Sequence, residues 1–523
     1  MSLRASSYTI YIPMPQFEDK VLLVHGFTGA VDLVARETAA YLKSKQTNAH
    51  DKPLHGEWGE EASLGPSPAV APSDETLGVL ETRGYLTRRS KDEEHALVAK
   101  GATLLQRQSC ASSFQYVIMP TYQCNLRCAY CFQDHMRTDP RFAHLLTRMT
   151  PATADRIFAA IPALERQVGA TEQPSRNLTL FGGEPLLAEN LEVVRHIVGL
   201  ARAAGITAIS AVTNGTELDA YADLLGRDGI PELQITLDGP PEDHDRRRVH
   251  ADGSGSFAAI ADNIDLALAR GAAIAVRVNV DRSNAPRLPQ LARTLVERGW
   301  SSHPQFLAYT AVVYAANANT PTASTFDSGE LVATMNDLRA LFPEMAALQR
   351  PSDGLRRNFM KVFEGRKQPH SLFRASYCGA HAGMYVFDAF GDIYKCWDKT
   401  GDTSLRVGTV RADGTLALRG MATAASAPAP ALRRTLPVVT AAPNDIAGWQ
   451  SRTIASNSAC SRCRFAFFCG GGCGAQAADH KGSYYTNVCD GFQTNFRRAV
   501  GEAYAAHAAG ERGGLDVGRL CGA

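Results

Sequence analysis

Cys124-Asn125-Leu126-Arg127-Cys128-Ala129-Tyr130-Cys131 spaces three thiols as C-x3-C-x2-C on one short segment. Three thiolates on such a loop can hold three corners of a four-iron cluster and leave the fourth iron without a protein ligand. A zinc knuckle is the alternative; it needs a fourth Cys or His close by, and the nearest, His135, falls at no common spacing. The apolar run Gln115 to Met119 reads as a strand, so the thiols lie on the loop that follows it.

Beyond that loop, strands and helices alternate. The expected strands are Gln115 to Met119, Asn177 to Phe181, Ala208 to Val212, Glu232 to Leu237, Ala273 to Val280 and Gln305 to Val313. Helices such as Pro151 to Leu164 and Leu191 to Ala203 fill the intervals. This order is that of an α/β protein with a parallel sheet wrapped by helices.

A length of 523 residues calls for two or three domains. The formal net charge of +1 implies no general affinity for nucleic acid or for an acidic membrane. Twelve cysteines, none in the first hundred residues, point to metal ligation in a reducing compartment, because a disulfide scaffold would be small and secreted. No run of about eighteen apolar residues occurs and no signal-peptide pattern opens the chain, so a cytoplasmic location is expected.

At the N-terminus, Tyr8 to Ile12 and Lys20 to Val24 read as strands, followed by a helix from about Val31 to Lys43. Asn48 to Pro72 is polar and rich in Pro and Gly, and reads as a mobile loop. Ser73 then caps a helix Glu75 to Thr82, before Gly84-Tyr85-Leu86. This is expected to be a small domain of its own. The segment Leu22 to Phe27 mimics a hydrolase oxyanion stretch, but no Gly-x-Ser-x-Gly elbow exists, so His25-Gly26 is a turn. Thr325 to Phe342 reads as a linking helix, Met421 to Pro443 as a surface insertion, and the tail after Gly510 as frayed.

The C-x3-C-x2-C spacing, with Tyr130 before its last cysteine, resembles the radical S-adenosylmethionine (SAM) superfamily. The resemblance implies an open, partial (β/α)6 TIM-like barrel with its chemistry on loops at the C-terminal ends of the strands. It also implies that the open iron chelates the amino and carboxylate groups of SAM, and that one electron then yields methionine and a 5'-deoxyadenosyl radical. Phe181-Gly182-Gly183-Glu184-Pro185 resembles the family's Gly-Gly-Glu-Pro motif, whose paired glycines let the backbone approach a ligand, with Glu184 as acceptor for the SAM amino group. A plain strand-to-helix turn is the alternative reading. Thr213-Asn214-Gly215 matches another element near SAM, and Thr236-Leu237-Asp238-Gly239-Pro240 resembles the Ser-x-Asp-Gly turn with Thr236 at the usual Ser. His244-Asp245-Arg246-Arg247-Arg248 matches a His-Asp-x-x-Arg run and makes Arg248 either the fork for the SAM carboxylate or part of a solvated basic turn. Arg277 and Asn279 share one face of their strand, where polar groups point to a ligand. The implied SAM contacts are therefore Tyr130, Gly182, Gly183, Glu184, Asn214, Thr236, Arg248, Arg277 and Asn279.

A second cysteine pattern runs Cys378, Gly391, Cys396, then Cys460, Cys463, Cys469, Cys473 and Cys489. It resembles the seven-cysteine SPASM domain of radical SAM enzymes that modify peptides. Carried over, Cys460, Cys463, Cys469 and Cys489 hold a distal auxiliary cluster, and Cys378, Cys396 and Cys473 hold an inner one. With Cys124, Cys128 and Cys131 this makes three [4Fe-4S] clusters. Anaerobic sulfatase maturases carry one more cysteine soon after the first of the seven; here Met384 stands near that place, leaving His381, water or a substrate group as fourth ligand. They also place a base directly after the second cysteine. Cys396-Trp397-Asp398 makes Asp398 a candidate base or an exposed turn carboxylate.

The N-terminal pattern resembles the winged-helix RiPP recognition element, a clamp that adds the leader of a ribosomally made peptide as an extra strand. The chain is thus expected to divide into that domain (1–100), a radical SAM partial barrel (110–320), a helical linker (321–375), a cysteine-rich SPASM domain (376–500) and a tail (501–523). The expected activity is hydrogen abstraction from a precursor peptide leading to a thioether or carbon-carbon cross-link, with a flavodoxin- or ferredoxin-type electron donor and no nucleic-acid or membrane partner. Formylglycine formation and a non-catalytic iron-sulfur adaptor are the alternatives. Cys110 and Cys521 fall outside all three cysteine sets.

Overall fold

Ile10 and Ile12, and Leu22 and Val24, each sit two residues apart and therefore on one face of an extended chain. In a computed structural model, which describes residues 3–46 apart from 15 and 18, 69–420 apart from 318, and 442–511, these runs are strands. After β1 (Arg4–Ala5), β2 (Thr9–Pro13) and β3 (Lys20–His25) pair antiparallel, with Ile12 opposite Leu22. The expected loop, the Ala/Pro-rich insertion and the tail lie largely outside the described residues, and Cys521 wholly so.

The helix expected from Val31 begins only at Arg36 and runs to Ser44. Val31–Ala35 is instead strand β4, with Val31 opposite Val24 and Leu33 opposite Leu22. Pairing with an existing strand and two β-branched valines outweigh the helical spacing. The helix Asp74–Thr82 starts where expected, the Ser73 hydroxyl accepting from the Thr76 amide. β5 (Leu86–Thr87) then pairs with β1.

These strands do not make a domain of their own. Ile10, Ile12, Leu22 and Val24 share one buried cluster with Phe359, Met360, Phe465, Phe468, Phe496 and Val500. The Phe496 ring lies 4.7 Å from Phe468 and 5.5 Å from both Phe359 and Phe465. Among the described residues, those within 1–107, 352–378 and 452–511 accordingly form one compact unit, and those within 108–351 and 379–451 form a second. The expected boundaries at 100, 321 and 376 are displaced, because the N-terminal strands bury their apolar face on distant helices, Asp353–Phe363 and Phe492–Ala508.

The second unit carries one ten-stranded sheet. Six parallel strands, β6 (Ser113–Ile118), β7 (Ser175–Leu180), β8 (Ala208–Thr213), β9 (Glu232–Thr236), β10 (Ala273–Val280) and β11 (Phe306–Val312), lie side by side in chain order. Helices Pro151–Gln167, Leu191–Ala203, Phe257–Ala269 and Leu288–Glu297 fill four crossovers. The crossover from β8 to β9 holds only a short 3-10 turn, Leu218–Tyr221, and so departs from the expected helix.

The sheet also continues past the six. β12 (Met384–Phe387) pairs parallel to β6, and β13 (Asp392–Tyr394), β14 (Gly408–Val410) and β15 (Leu416–Leu418) follow antiparallel. The six-unit count therefore misses a seventh parallel strand inside the expected SPASM region. Met384-Tyr385-Val386-Phe387 is buried throughout, a run too short to stand out between cysteines. No helix among the described residues is long and apolar enough to cross a membrane.

The shared aromatic core has a direct test. Phe496→Ala should lower unfolding stability by about 3–5 kcal/mol in urea titration. Removing residues 1–46 should lower the melting temperature and expose a surface that binds a hydrophobic dye. Unchanged melting after that truncation would refute a core shared with the N-terminal strands.

Candidate functional site

The thiol loop leaves β6 and has no regular structure of its own. Its shape is set by backbone bonds to the turn after β7: the Gly183 amide donates to Thr121 O at 3.0 Å and the Glu184 amide to Gln123 O at 2.7 Å. Gly182 has φ +142°, and a Cβ there would strike the Thr121 carbonyl; one on Gly183 would strike those of Tyr122 and Gln123. The space expected to admit a ligand is thus taken by the loop's backbone. Asn125 Nδ2 reaches Thr216 Oγ1 at 2.9 Å, the Arg127 amide reaches Val249 O at 2.8 Å, and Asn317 Nδ2 donates to the carbonyls of Ala129 and Cys131 at 3.0 Å.

Cys128 is buried, and burial pushes its thiol up to about 12, with Cys124 and Cys131 adding to the effect and Arg248 opposing it. The three sulfurs therefore lie within electrostatic reach of one another. Cys124 Sγ accepts from the Leu126 amide at 3.4 Å and Cys131 Sγ from Arg137 Nη2 at 3.2 Å. Among the described residues, no three His, Cys, Asp or Glu side chains are arranged to hold a single metal ion. The fit to a cluster rests on the thiol chemistry and on these donors, which suit ligands that carry negative charge.

Glu184 is 2% exposed. Its Oε1 accepts from Thr213 Oγ1 at 2.6 Å and the Leu186 amide at 2.8 Å, and its Oε2 from the Asn214 amide at 2.5 Å. Burial still dominates and pushes its carboxyl up to about 7. Asn214 Nδ2 donates to Asn125 Oδ1 at 2.7 Å, and its Oδ1 accepts from the Thr216 amide at 2.9 Å. The motifs after β7 and β8 are thereby tied to the cysteine loop.

Asp238, fully buried after β9, organises the other side. Tyr130 Oη donates to its Oδ2, and the Asn279 amide donates to its Oδ1 at 2.9 Å. Arg248 Nη1 donates to Tyr130 Oη at 2.7 Å, and Arg247 lies over the Tyr130 ring at 5.3 Å while bonding Asp281 at 2.8 Å. Arg248 is 8% exposed, which rules out the solvated basic turn, and Cys128, Tyr130 and Asp238 all favour its charged form. His244 is buried, accepts from the Asp238 amide through Nδ1, and is held neutral by burial. Arg277 Nε donates to Asn279 Oδ1 at 2.8 Å, and Thr236 stands opposite Arg277 in register. Of the residues anticipated near SAM, Arg248 and Asn279 meet at Tyr130, with Arg277 bonded to Asn279, whereas Gly183, Glu184 and Asn214 are bonded to the cysteine loop or to one another.

Asp398 is half-buried rather than an exposed turn carboxylate; its Oδ2 accepts from Tyr314 Oη at 2.8 Å, just past β11. Trp397 stacks on Phe181 at 5.0 Å. The His381 Nδ1 donates to Trp449 O at 3.0 Å. In the first unit, burial pushes the Cys460 thiol up to about 12, with Cys469 and Cys489 contributing. Asn487 Nδ2 donates to Cys489 Sγ at 3.1 Å. Burial raises the Tyr377 hydroxyl pKa, with Cys473, Cys378, Asp490 and Cys469 adding to the effect. Cys110 lies in the helix Lys91–Ser112, half-buried.

Residues 118–280 match the family described as the Radical SAM superfamily. That stretch is a radical SAM domain. The match implies SAM and its four-iron cluster as cofactors, and the thiol loop, Glu184 and Arg248 lie within it. Curated relatives include GTP 3',8-cyclases of Rhodopseudomonas palustris (strain ATCC BAA-98 / CGA009), 30% identical over 33% of this chain and 46% of that protein, and of Rhizobium leguminosarum bv. trifolii (strain WSM2304), 27% identical over 34% and 47%. The chain spans less than half the length of these relatives. Among solved structures, anSMEcpe with bound AdoMet is similar in fold at TM-score 0.53 and 16% identity, over 76% of this chain and 96% of that one. A form of anSMEcpe with bound AdoMet and the Cp18Cys peptide matches at TM-score 0.50 and 15% identity, over 76% and 99%.

Sequence reasoning overlooked four groups. Asp238 stood inside a quoted motif whose Thr236 drew attention instead. Arg247 was passed over for its neighbour, and Arg137 and Asn317 carry no motif signal at all.

The raised Glu184 carboxyl has a pH signature. A carboxyl that holds its proton more tightly when folded contributes most below its ordinary value of about 4.5, and that contribution is lost as pH rises through about 7. Glu184→Gln is neutral throughout. The stability of the native chain relative to this variant should therefore fall by about 3 kcal/mol between about pH 4 and pH 8 in urea titrations. A constant difference across that window would show that burial does not control this carboxyl.

Proposed function

We propose that this chain is a radical SAM peptide maturase that installs a thioether or carbon-carbon cross-link in a ribosomally made precursor peptide. The observation that carries the reading is a further gathering of thiols outside the radical SAM domain, Cys469 and Cys489 near Cys460, and Cys378, Cys469 and Cys473 near Tyr377. Cross-link formation removes two hydrogens, so after one is abstracted an electron and a proton remain to be taken up. Auxiliary [4Fe-4S] clusters held by Cys460, Cys463, Cys469 and Cys489 and by Cys378, Cys396 and Cys473 would accept the electron. Asp398, oriented by Tyr314, would take the proton.

Bound at Cys124, Cys128 and Cys131, a four-iron cluster with SAM supplies the 5'-deoxyadenosyl radical. The surrounding residues would orient SAM: Arg248 at its carboxylate, Glu184 at its amino group, and Tyr130, Asn214, Thr236, Arg277 and Asn279 around it. The edge of the three-stranded N-terminal sheet, in the manner of a RiPP recognition element, would receive the peptide as an added strand. A flavodoxin- or ferredoxin-type protein would supply the electron. The peptide bound to anSMEcpe, a protein of similar fold, supports a peptide substrate.

The names of the curated relatives favour a second reading, cyclisation of a nucleotide such as GTP. Against it, their likeness covers only about a third of this chain.

Anaerobic reconstitution should give about twelve irons per chain, four per cluster. A Cys124/Cys128/Cys131 triple alanine variant should lose about a third of that iron and all SAM cleavage. Co-expression with a short peptide encoded beside this chain should remove two hydrogens from the peptide, read by mass spectrometry. Consumption of GTP with no change in the peptide would establish the second reading instead.

A further inference from the structure

Arg137 is a cation that the proposed chemistry does not yet use. It lies in the short helix Asp134–Thr138, whose Met136 is buried, and Asp139 just beyond is engaged by Arg141. Arg137 Nη2 donates to Cys131 Sγ at 3.2 Å. Its Nε and Nη1 are shut off from solvent with no hydrogen-bond partner among the described residues. A guanidinium in such a place is costly unless an anion faces it. The groups that favour its charge are Cys131, Cys124 and Asp134, and of these only the Cys131 sulfur is bonded to it. A neutral thiol is a weak acceptor. The arrangement is favourable when Cys131 is an ionised ligand.

We infer that Arg137 is a positioning residue for electron entry, raising the reduction potential of the cluster held by Cys124, Cys128 and Cys131. The inference rests on the reading that these thiols hold such a cluster. Reduction adds one electron from the protein donor, which is itself oxidised, and no proton moves because arginine stays protonated. The added negative charge is shared with the ligand sulfurs, so a fixed cation bonded to one of them stabilises the reduced form more than the oxidised one. Hydrogen bonds to the sulfurs and local charge are recognised controls on such potentials, and burial strengthens the effect.

The test is a redox titration of the full-length, anaerobically reconstituted protein without SAM, followed by electron paramagnetic resonance. The relevant signal is the component missing from the Cys124/Cys128/Cys131 triple alanine variant. Arg137→Gln should keep its iron and show about a tenfold lower ratio of reduced to oxidised cluster at a fixed potential, equal to about 59 mV for one electron. Arg137→Lys, which keeps the charge, should stay within about twofold of the native ratio. An unchanged ratio in Arg137→Gln with full iron overturns the inference. If Arg137→Gln fails to hold the loop's iron, Arg137→Lys decides: a near-native ratio supports the role, and a tenfold loss or absent iron overturns it. A native protein with no iron on this loop would instead overturn the cluster reading itself.

Discussion

Two backbone hydrogen bonds, from Gly183 to Thr121 and from Glu184 to Gln123, hold the cysteine loop against the turn after the second parallel strand. Each is worth only about 1 kcal/mol net, and they act together with the bonds of Asn125 to Thr216, Arg127 to Val249 and Asn317 to Ala129 and Cys131 to define the loop's path. The contact tolerates no side chain at Gly182 or Gly183, since a Cβ at either would meet a carbonyl of the loop. Glu184 then passes the constraint on. Its two oxygens take Thr213 Oγ1 and the amides of Leu186 and Asn214, and Asn214 reaches back to Asn125 inside the loop. Three consecutive strands are locked to one cysteine segment through one buried carboxyl.

Across the loop, charge replaces close packing as the organising force. Arg247 and Arg248 are brought near Tyr130, and buried guanidiniums require acceptors. Asp281 takes Arg247, and Tyr130 Oη takes Arg248 while donating to Asp238. Asp238 is further bound by the amide of Asn279 on the next strand. The arginine fork that faces Cys128 is thus held by residues from two strand ends and the loop itself. Such over-determination is what a site needs if a small anionic ligand is to meet a preformed fork.

The first unit follows another logic. Its N-terminal strands are short, and a three-stranded sheet alone buries little. They gain a core by packing on Phe359, Phe465 and Phe496. Polar contacts reinforce the union: Tyr8 Oη donates to Ser461 O at 2.7 Å and Arg464 Nη1 to Thr9 O at 2.9 Å. These contacts flank Cys460 and Cys463. The N-terminal strands and these two cysteines therefore share one folded body.

Sequence by itself determined the elements whose signals are local. Ala273–Val280 shows its period of two in the alternation of Val276, Val278 and Val280 with Arg277 and Asn279, and the C-x3-C-x2-C spacing with the Gly-Gly-Glu-Pro turn carries the resemblance to the radical SAM family without reference to anything distant. Glu184 and Asn279 were legible because each lies within a few residues of a strand end, and Arg248 because it closes the His-Asp-x-x-Arg run. What only the tertiary structure decided depends on partners far apart in the chain. Val31–Ala35 became a strand because β3 offered it a pairing edge, Met384–Phe387 joined β6 as a further parallel strand, and the N-terminal sheet lost its independence to helices hundreds of residues away. Arg137 shows the same limit at the site. A lone arginine six residues past Cys131 carries no pattern, and its meaning appears only when a single helical turn folds its guanidinium back onto that sulfur.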